Sequence, residues 1–91
     1  MPMIPLDSDL MRAFLAVADT GSVTAAADRV GRTQSAVSMQ IKRLEDSLGQ
    51  PLFARLPRGV ALTPRGEQLM PYARRVVSLL DEAATALREK P

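Results

Sequence analysis

The sequence predicts a mainly α-helical fold of three short helices, a two-stranded hairpin and one long final helix. Three observations predict it. Apolar residues recur at spacings of three and four through most of the chain, which is the helical period. That pattern breaks once, between Leu52 and Leu62, where two short extended runs flank a turn rich in Pro and Gly. The only aromatics are Phe14, Phe53 and Tyr72, so the core must come from Leu, Val, Ile, Ala and Met, a palette suited to helix-on-helix packing. With 91 residues there is room for one small domain.

The elements follow in order. Asp7 or Ser8 can cap a first helix, in which Leu10, Phe14, Val17 and Ala18 form a narrow apolar face until Thr20-Gly21 ends it. Ser22 can cap a short second helix with Val23, Ala26, Ala27 and Val30 at i, i+3, i+4 and i+7, its alanines allowing close approach of a neighbour. Gly31 stops it. Thr33 can then cap a third helix from Gln34 to Leu48, with Gly49 as its stop and Pro51 just beyond. Two helices joined by a three-residue turn containing Gly are the helix-turn-helix pattern. The runs Leu52–Arg55 and Val60–Leu62 around Leu56-Pro57-Arg58-Gly59 read as a two-stranded wing. Thr63-Pro64, a cap with proline at the first helical position, opens a helix that continues close to the C-terminus. Pro71 removes one backbone donor, so a kink or a break is expected near Met70. The expected division is residues 1–62 as the winged helix-turn-helix and 63–91 as a linker or dimerisation helix.

Composition excludes much chemistry. The chain has no Cys and no His, which removes disulfides, thiolate or imidazole metal ligands and every Ser-His or Cys-His nucleophile. No cofactor is expected, and an enzyme is not. The first ten residues carry prolines and two Asp rather than a basic segment leading into an apolar run, and no stretch reaches the ~20 apolar residues of a membrane span. A cytoplasmic protein without membrane contact is expected. The net charge is only +2, but residues 31–66 hold Arg32, Lys42, Arg43, Arg55, Arg58 and Arg65 against Glu45 and Asp46. Residues 1–30 are net acidic and 67–91 neutral, so the basic field lies on the third helix and the wing.

The third helix points to nucleic acid. At 100° per residue, Val37, Ile41, Leu44 and Leu48 form a stripe that must face the core. Ser35, Ser38, Met39 and Lys42 lie opposite, with the acidic Glu45 and Asp46 held to the far end, so this face can enter a major groove N-terminus first. Thr33 and Gln34 stand in or beside the first turn, and Lys42 and Arg43 are placed to meet phosphate. Arg58 at the wing tip can enter a minor groove or pair with phosphate; Arg55 at its base can do the same or make a structural ion pair. On the last helix, Leu69, Ala73, Val76, Leu80, Ala83 and Leu87 repeat at spacings 4, 3, 4, 3, 4, a heptad seam for a second copy.

These residues carry a resemblance. The stretch Phe14 to Arg55, FLAVADTGSVTAAADRVGRTQSAVSMQIKRLEDSLGQPLFAR, resembles the N-terminal domain of LysR-type transcriptional regulators, and the likeness continues through RGVALTPRGEQL. It implies a dimer paired through linker helices, double-stranded DNA with an interrupted dyad as partner, and a larger effector-binding domain that these 91 residues do not include. By position, the family's groove-facing sites match Gln34, Ser35, Ser38 and Met39, and its wing arginine matches Arg58. Many members carry arginine where this chain has Met39, which can meet a thymine methyl but cannot donate to guanine. Two other readings compete. A helical adaptor would use the same seam without salt-dependent affinity for DNA. An RNA-binding module would expose stacking aromatics, which the third helix lacks.

Overall fold

The computed structural model describes residues 6–88, in the order α1 (Ser8–Thr20), α2 (Val23–Val30), α3 (Gln34–Leu48), β1 (Phe53–Arg55), β2 (Val60–Leu62) and α4 (Pro64–Arg88). The outer ends of the two expected segments, residues 1–5 and 89–91, lie outside the described residues, and with them half of the stretch read for a targeting signal. Each helix begins where a short polar side chain satisfies a backbone donor. Asp7 accepts from Leu10 N at 2.9 Å, Ser22 from Ala25 N at 3.1 Å, Thr33 from Ala36 N at 3.1 Å and Thr63 from Gly66 N at 3.1 Å. The first three helices close on Gly21, Gly31 and Gly49, all in the left-handed region.

The core is built around α1, which packs against α2, α3, α4 and β2. Its buried face is wider than the sequence pattern implied: Met11, Ala13 and Ala16 are buried along with Leu10, Phe14 and Val17, whereas Ala18 is only half-buried. A helix enclosed on several sides needs small residues between its large ones, and these alanines fill that role. Val37, Ile41 and Leu44 of α3 complete the core, as the stripe required. Leu48 does not join them. It is 39% exposed and lines an open groove with Leu52, Leu69 and Tyr72.

The hairpin pairs Phe53 with Leu62, Ala54 with Ala61 and Arg55 with Val60. Two three-residue strands have little stability alone, so the body of the domain must hold them. Phe53 packs on Phe14 with ring centroids 5.4 Å apart, and Val60 N donates to Gly21 O at 3.0 Å. That second contact requires glycine at 59: its φ is +81°, and a Cβ there would stand 2.2 Å from Gly21 O.

Helix α4 runs unbroken through Pro71. The break anticipated near Met70 does not occur, because Pro71 and Glu67, whose carbonyl loses its donor, are both exposed and water can serve the vacated acceptor. The first half of α4 belongs to the core. Gly66 and Ala73 are buried, with Met70 and Val77 packed beside them, a stripe at spacings 4, 3, 4. Ala73, expected in an intermolecular seam, is 0% exposed within its own domain, and Leu69 is half-buried against the same core. Ion pairs Arg12–Asp81 at 2.8 Å and Arg74–Asp19 at 2.9 Å strap the helix to α1. The hydrogen bond that Arg12 donates to the Asp81 carboxylate, more than any other influence, raises the guanidinium above its ordinary pKa.

Gly66 sets how closely α4 approaches the strand entry, since a Cβ at that position would lie 2.2 Å from Leu52 O and 2.8 Å from Leu62 Cδ2. Overpacking costs ~1–3 kcal/mol and the gain in helix propensity is ~1 kcal/mol. Because the obstacle is backbone, Gly66→Ala is expected to destabilise by about 2 kcal/mol despite improving the helix. Thermal melts check this; a variant as stable as the parent would mean that the approach is looser than described.

Candidate nucleic-acid interface

With Val37, Ile41 and Leu44 turned inward, the opposite face of α3 is open. All nine candidate contact residues, Thr33, Gln34, Ser35, Ser38, Met39, Lys42, Arg43, Arg55 and Arg58, are exposed. Met39 is 65% exposed, so it neither joins the core nor lies under the wing. Thr33 uses its hydroxyl as the α3 cap, which leaves its role toward a ligand secondary to its role in starting the helix.

The fold brings part of this set together. A cleft of about 260 Å³ lies between α3 and the hairpin, lined by Ser38, Lys42 and Glu45 on one side and Phe53, Ala54 and Arg55 on the other. Arg55 thus stands across from Lys42, twelve intervening residues having been folded back between them. Thr33 and Gln34 stand apart at the start of α3, and Arg58 at the hairpin tip.

Charge is divided by face. Arg12, Arg29, Arg32 and Arg74 are paired with Asp81, Asp19, Asp9 and Asp19 respectively. These pairs gather on α1, α2, the turn after α2 and α4, where they neutralise one another. Among the described residues, Lys42, Arg43, Arg55 and Arg58 enter no ion pair. Arg55 therefore makes no structural ion pair, whereas Arg32, counted with the basic middle segment, does. Four unpaired cations thus share the outer face of α3 and the hairpin, where a polyanion would meet them.

One residue of consequence was not singled out from sequence. The Glu45 carboxylate accepts from Leu52 N at 2.7 Å and from Phe53 N at 3.3 Å. An acidic side chain on an otherwise basic face was the available signal, but its partners are backbone donors beyond a glycine turn and leave no mark in side-chain pattern. Among the described residues no helix is long and apolar enough to cross a membrane.

Comparison with known proteins agrees with this architecture. The family described as bacterial regulatory helix-turn-helix protein, lysR family, matches residues 8–67. The chain is 51% identical over 82 residues to the HTH-type transcriptional regulator DgdR of Burkholderia cepacia, covering 90% of this chain and 28% of that protein. It is 50% identical over 86 residues to the HTH-type transcriptional regulator PecT of Dickeya dadantii (strain 3937), covering 94% of this chain and 27% of that protein. It therefore spans little more than a quarter of the length of these relatives. The BenM DBD in its complex with catB site 1 DNA superposes with a TM-score of 0.85 at 34% identity, over 91% of this chain and 93% of that one. Helix order, the winged hairpin and the matched segment from α1 into the start of α4 all concur: the chain belongs to the lysR family of bacterial regulatory helix-turn-helix proteins.

Proposed function

We propose that this chain is the DNA-reading part of a transcription regulator and binds double-stranded DNA sequence-specifically as a homodimer in the cytoplasm. The observation that carries this reading is the placement of charge: the four cations of α3 and the hairpin, Lys42, Arg43, Arg55 and Arg58, lack acidic partners, whereas Arg12, Arg29, Arg32 and Arg74 have them. Helix α3 lies in the major groove. Gln34 can pair with adenine and Met39 can meet a thymine methyl, with Ser35 and Ser38 beside them. Lys42 and Arg43 hold phosphates, and Arg55 and Arg58 reach the adjoining minor groove or backbone.

The dimer forms through the outer face of α4. With Ala73 committed to the core, the available stripe is Tyr72, Val76, Leu79, Leu80, Ala83 and Leu87, all exposed and at helical spacing. Relative to the seam read from sequence it loses Ala73 and most of Leu69 and gains Tyr72 and Leu79. Two protomers then present two reading heads, suited to an interrupted dyad with one half-site each. The DNA complex of the similar BenM DBD supports the partner assigned.

Salt tests the reading. Each phosphate neutralised contributes ~0.9 to the slope of log affinity against log salt, so four cations per protomer give a slope of roughly −7 for the dimer. Fluorescence anisotropy across a salt series measures it. A slope near zero would remove the DNA reading and leave an adaptor that only oligomerises.

A further inference from the structure

Glu45 is the one acidic side chain in the cleft shared by Ser38, Lys42 and Arg55, where an open carboxylate would repel the phosphates those cations attract. It is not left open. Its carboxylate accepts from Leu52 N at 2.7 Å and Phe53 N at 3.3 Å, and its backbone carbonyl accepts from Gly49 N and, at 3.2 Å, from Gln50 N. Four backbone donors of the segment that turns from α3 into β1 thus converge on one residue of α3. The hairpin has other anchors: Val60 N on Gly21 O, the Thr63 hydroxyl on Pro51 O, and Thr63 N on Leu52 O. None of these comes from α3. Among the described hydrogen bonds, those from the strand entry to a side chain of α3 are both to Glu45.

We propose that Glu45 is a positioning residue that fixes the distance and angle of the hairpin relative to α3, so that Arg55 and Arg58 are already placed on DNA when α3 occupies the groove. The inference rests on the DNA-binding reading above. Its physical content is preorganisation. A hairpin of two three-residue strands free to shift against α3 must be ordered at the moment of binding, and that cost is subtracted from what its arginines contribute. With the carboxylate held by two backbone donors, α3 and β1 move as one body, and the ordering is complete before DNA arrives.

The test is a double-mutant cycle on the whole chain, using a duplex that the parent protein enriches from a random library. Arg58→Ala is expected to weaken binding about tenfold in the parent, the loss of one charge-assisted contact. In a Glu45→Ala background the same change is expected to cost less than about twofold, because the hairpin no longer arrives in place. Base preference at positions read by α3 stays as in the parent. Glu45→Gln, which keeps an accepting oxygen, restores most of the Arg58 dependence, a rescue that tracks geometry rather than charge. If Glu45→Ala does not fold, Glu45→Asp, whose shorter stem withdraws the acceptor from Leu52 N, takes its place in the cycle. Equal Arg58→Ala losses in both backgrounds overturn the proposal, and so does an Arg58→Ala change that costs nothing in the parent. Failure of the parent to enrich any duplex overturns the DNA reading itself, which separates that failure from a failure of the Glu45 assignment.

Discussion

Leu80→Asp protein is expected to sediment as a monomer, to keep the helical content of its parent, and to bind a two-fold DNA site about a hundredfold more weakly. Helix α4 has 25 residues and so extends ~37 Å at 1.5 Å per residue, more than a domain of this size can cover. Its inner face is used as far as Val77, and the Asp81 pair with Arg12 lies one turn further along the same side. The outer face carries Tyr72, Val76, Leu79, Leu80 and Leu87, with Leu87 88% exposed. Large apolar side chains gathered on one stripe mark an interaction surface. A lone reading head making few base contacts binds at ~10 μM, within the weak range for phosphate-dominated contacts. A second head tethered at an effective concentration on the order of 1 mM tightens binding about a hundredfold without any new contact. An aspartate at the middle of the stripe places an unpaired charge in a buried apolar contact, which costs several kcal/mol, while position 80 is exposed in the protomer and is not one of its buried core residues. Sedimentation and binding to sites of varied half-site spacing check both halves of the expectation. A Leu80→Asp protein that stays dimeric and still favours one spacing places the partner surface elsewhere.

Phe14→Ala is expected to remove ~3–5 kcal/mol of stability. Domains of this kind have ~5–15 kcal/mol in total, so the variant sits near the unfolding threshold at room temperature. The size follows from place: Phe14 is 0% exposed in the helix that every layer packs upon, and its ring supports Phe53 at the start of the wing. Truncation leaves a cavity that the surrounding aliphatic side chains cannot collapse into without moving α1 from α3, and it takes away the support beneath β1. Thermal unfolding by circular dichroism should show a midpoint lowered by ~20 °C, given ~4–8 °C per kcal/mol in a domain this small. The exposed Met39→Ala serves as control, with a change within about 0.5 kcal/mol. A Phe14→Ala midpoint within a few degrees of the parent would mean that this ring is not the centre of the core.

The elements themselves were legible in sequence because their signals are local. A cap acts over three residues and a stop over one or two, so Ser22, Thr33 and Gly49 reveal where helices begin and end whatever surrounds them. Helix α3 runs from Gln34 to Leu48 as its caps predicted, and β2 covers Val60–Leu62. The outer face of α3 was equally readable, since three inward apolar residues fix the direction of every other side chain on a rigid helix.

The faces of α4 were not readable in the same way. Two stripes run along it, one through Gly66, Met70, Ala73 and Val77 and one through Tyr72, Val76, Leu80 and Leu87, and both have helical period. Periodicity states that a face will be covered but not by what. Here small residues decide: Gly66 and Ala73 let α4 approach Leu52 and the core, and Ala73 is thereby withdrawn from the intermolecular seam. Glu45 belongs with these cases, because hydrogen bonds to backbone donors seven and eight residues away depend on how the chain turns at Gly49, not on which side chains follow. Charge behaves alike. Segment counts placed the basic excess on α3 and the wing, but only folding brought Asp9, Asp19 and Asp81 beside Arg32, Arg29, Arg74 and Arg12, up to 69 residues apart in sequence, and left Lys42, Arg43, Arg55 and Arg58 without partners. Caps and periods are written over single turns of chain, whereas ion pairing and burial are settled by whichever distant surface the packed helices bring within reach.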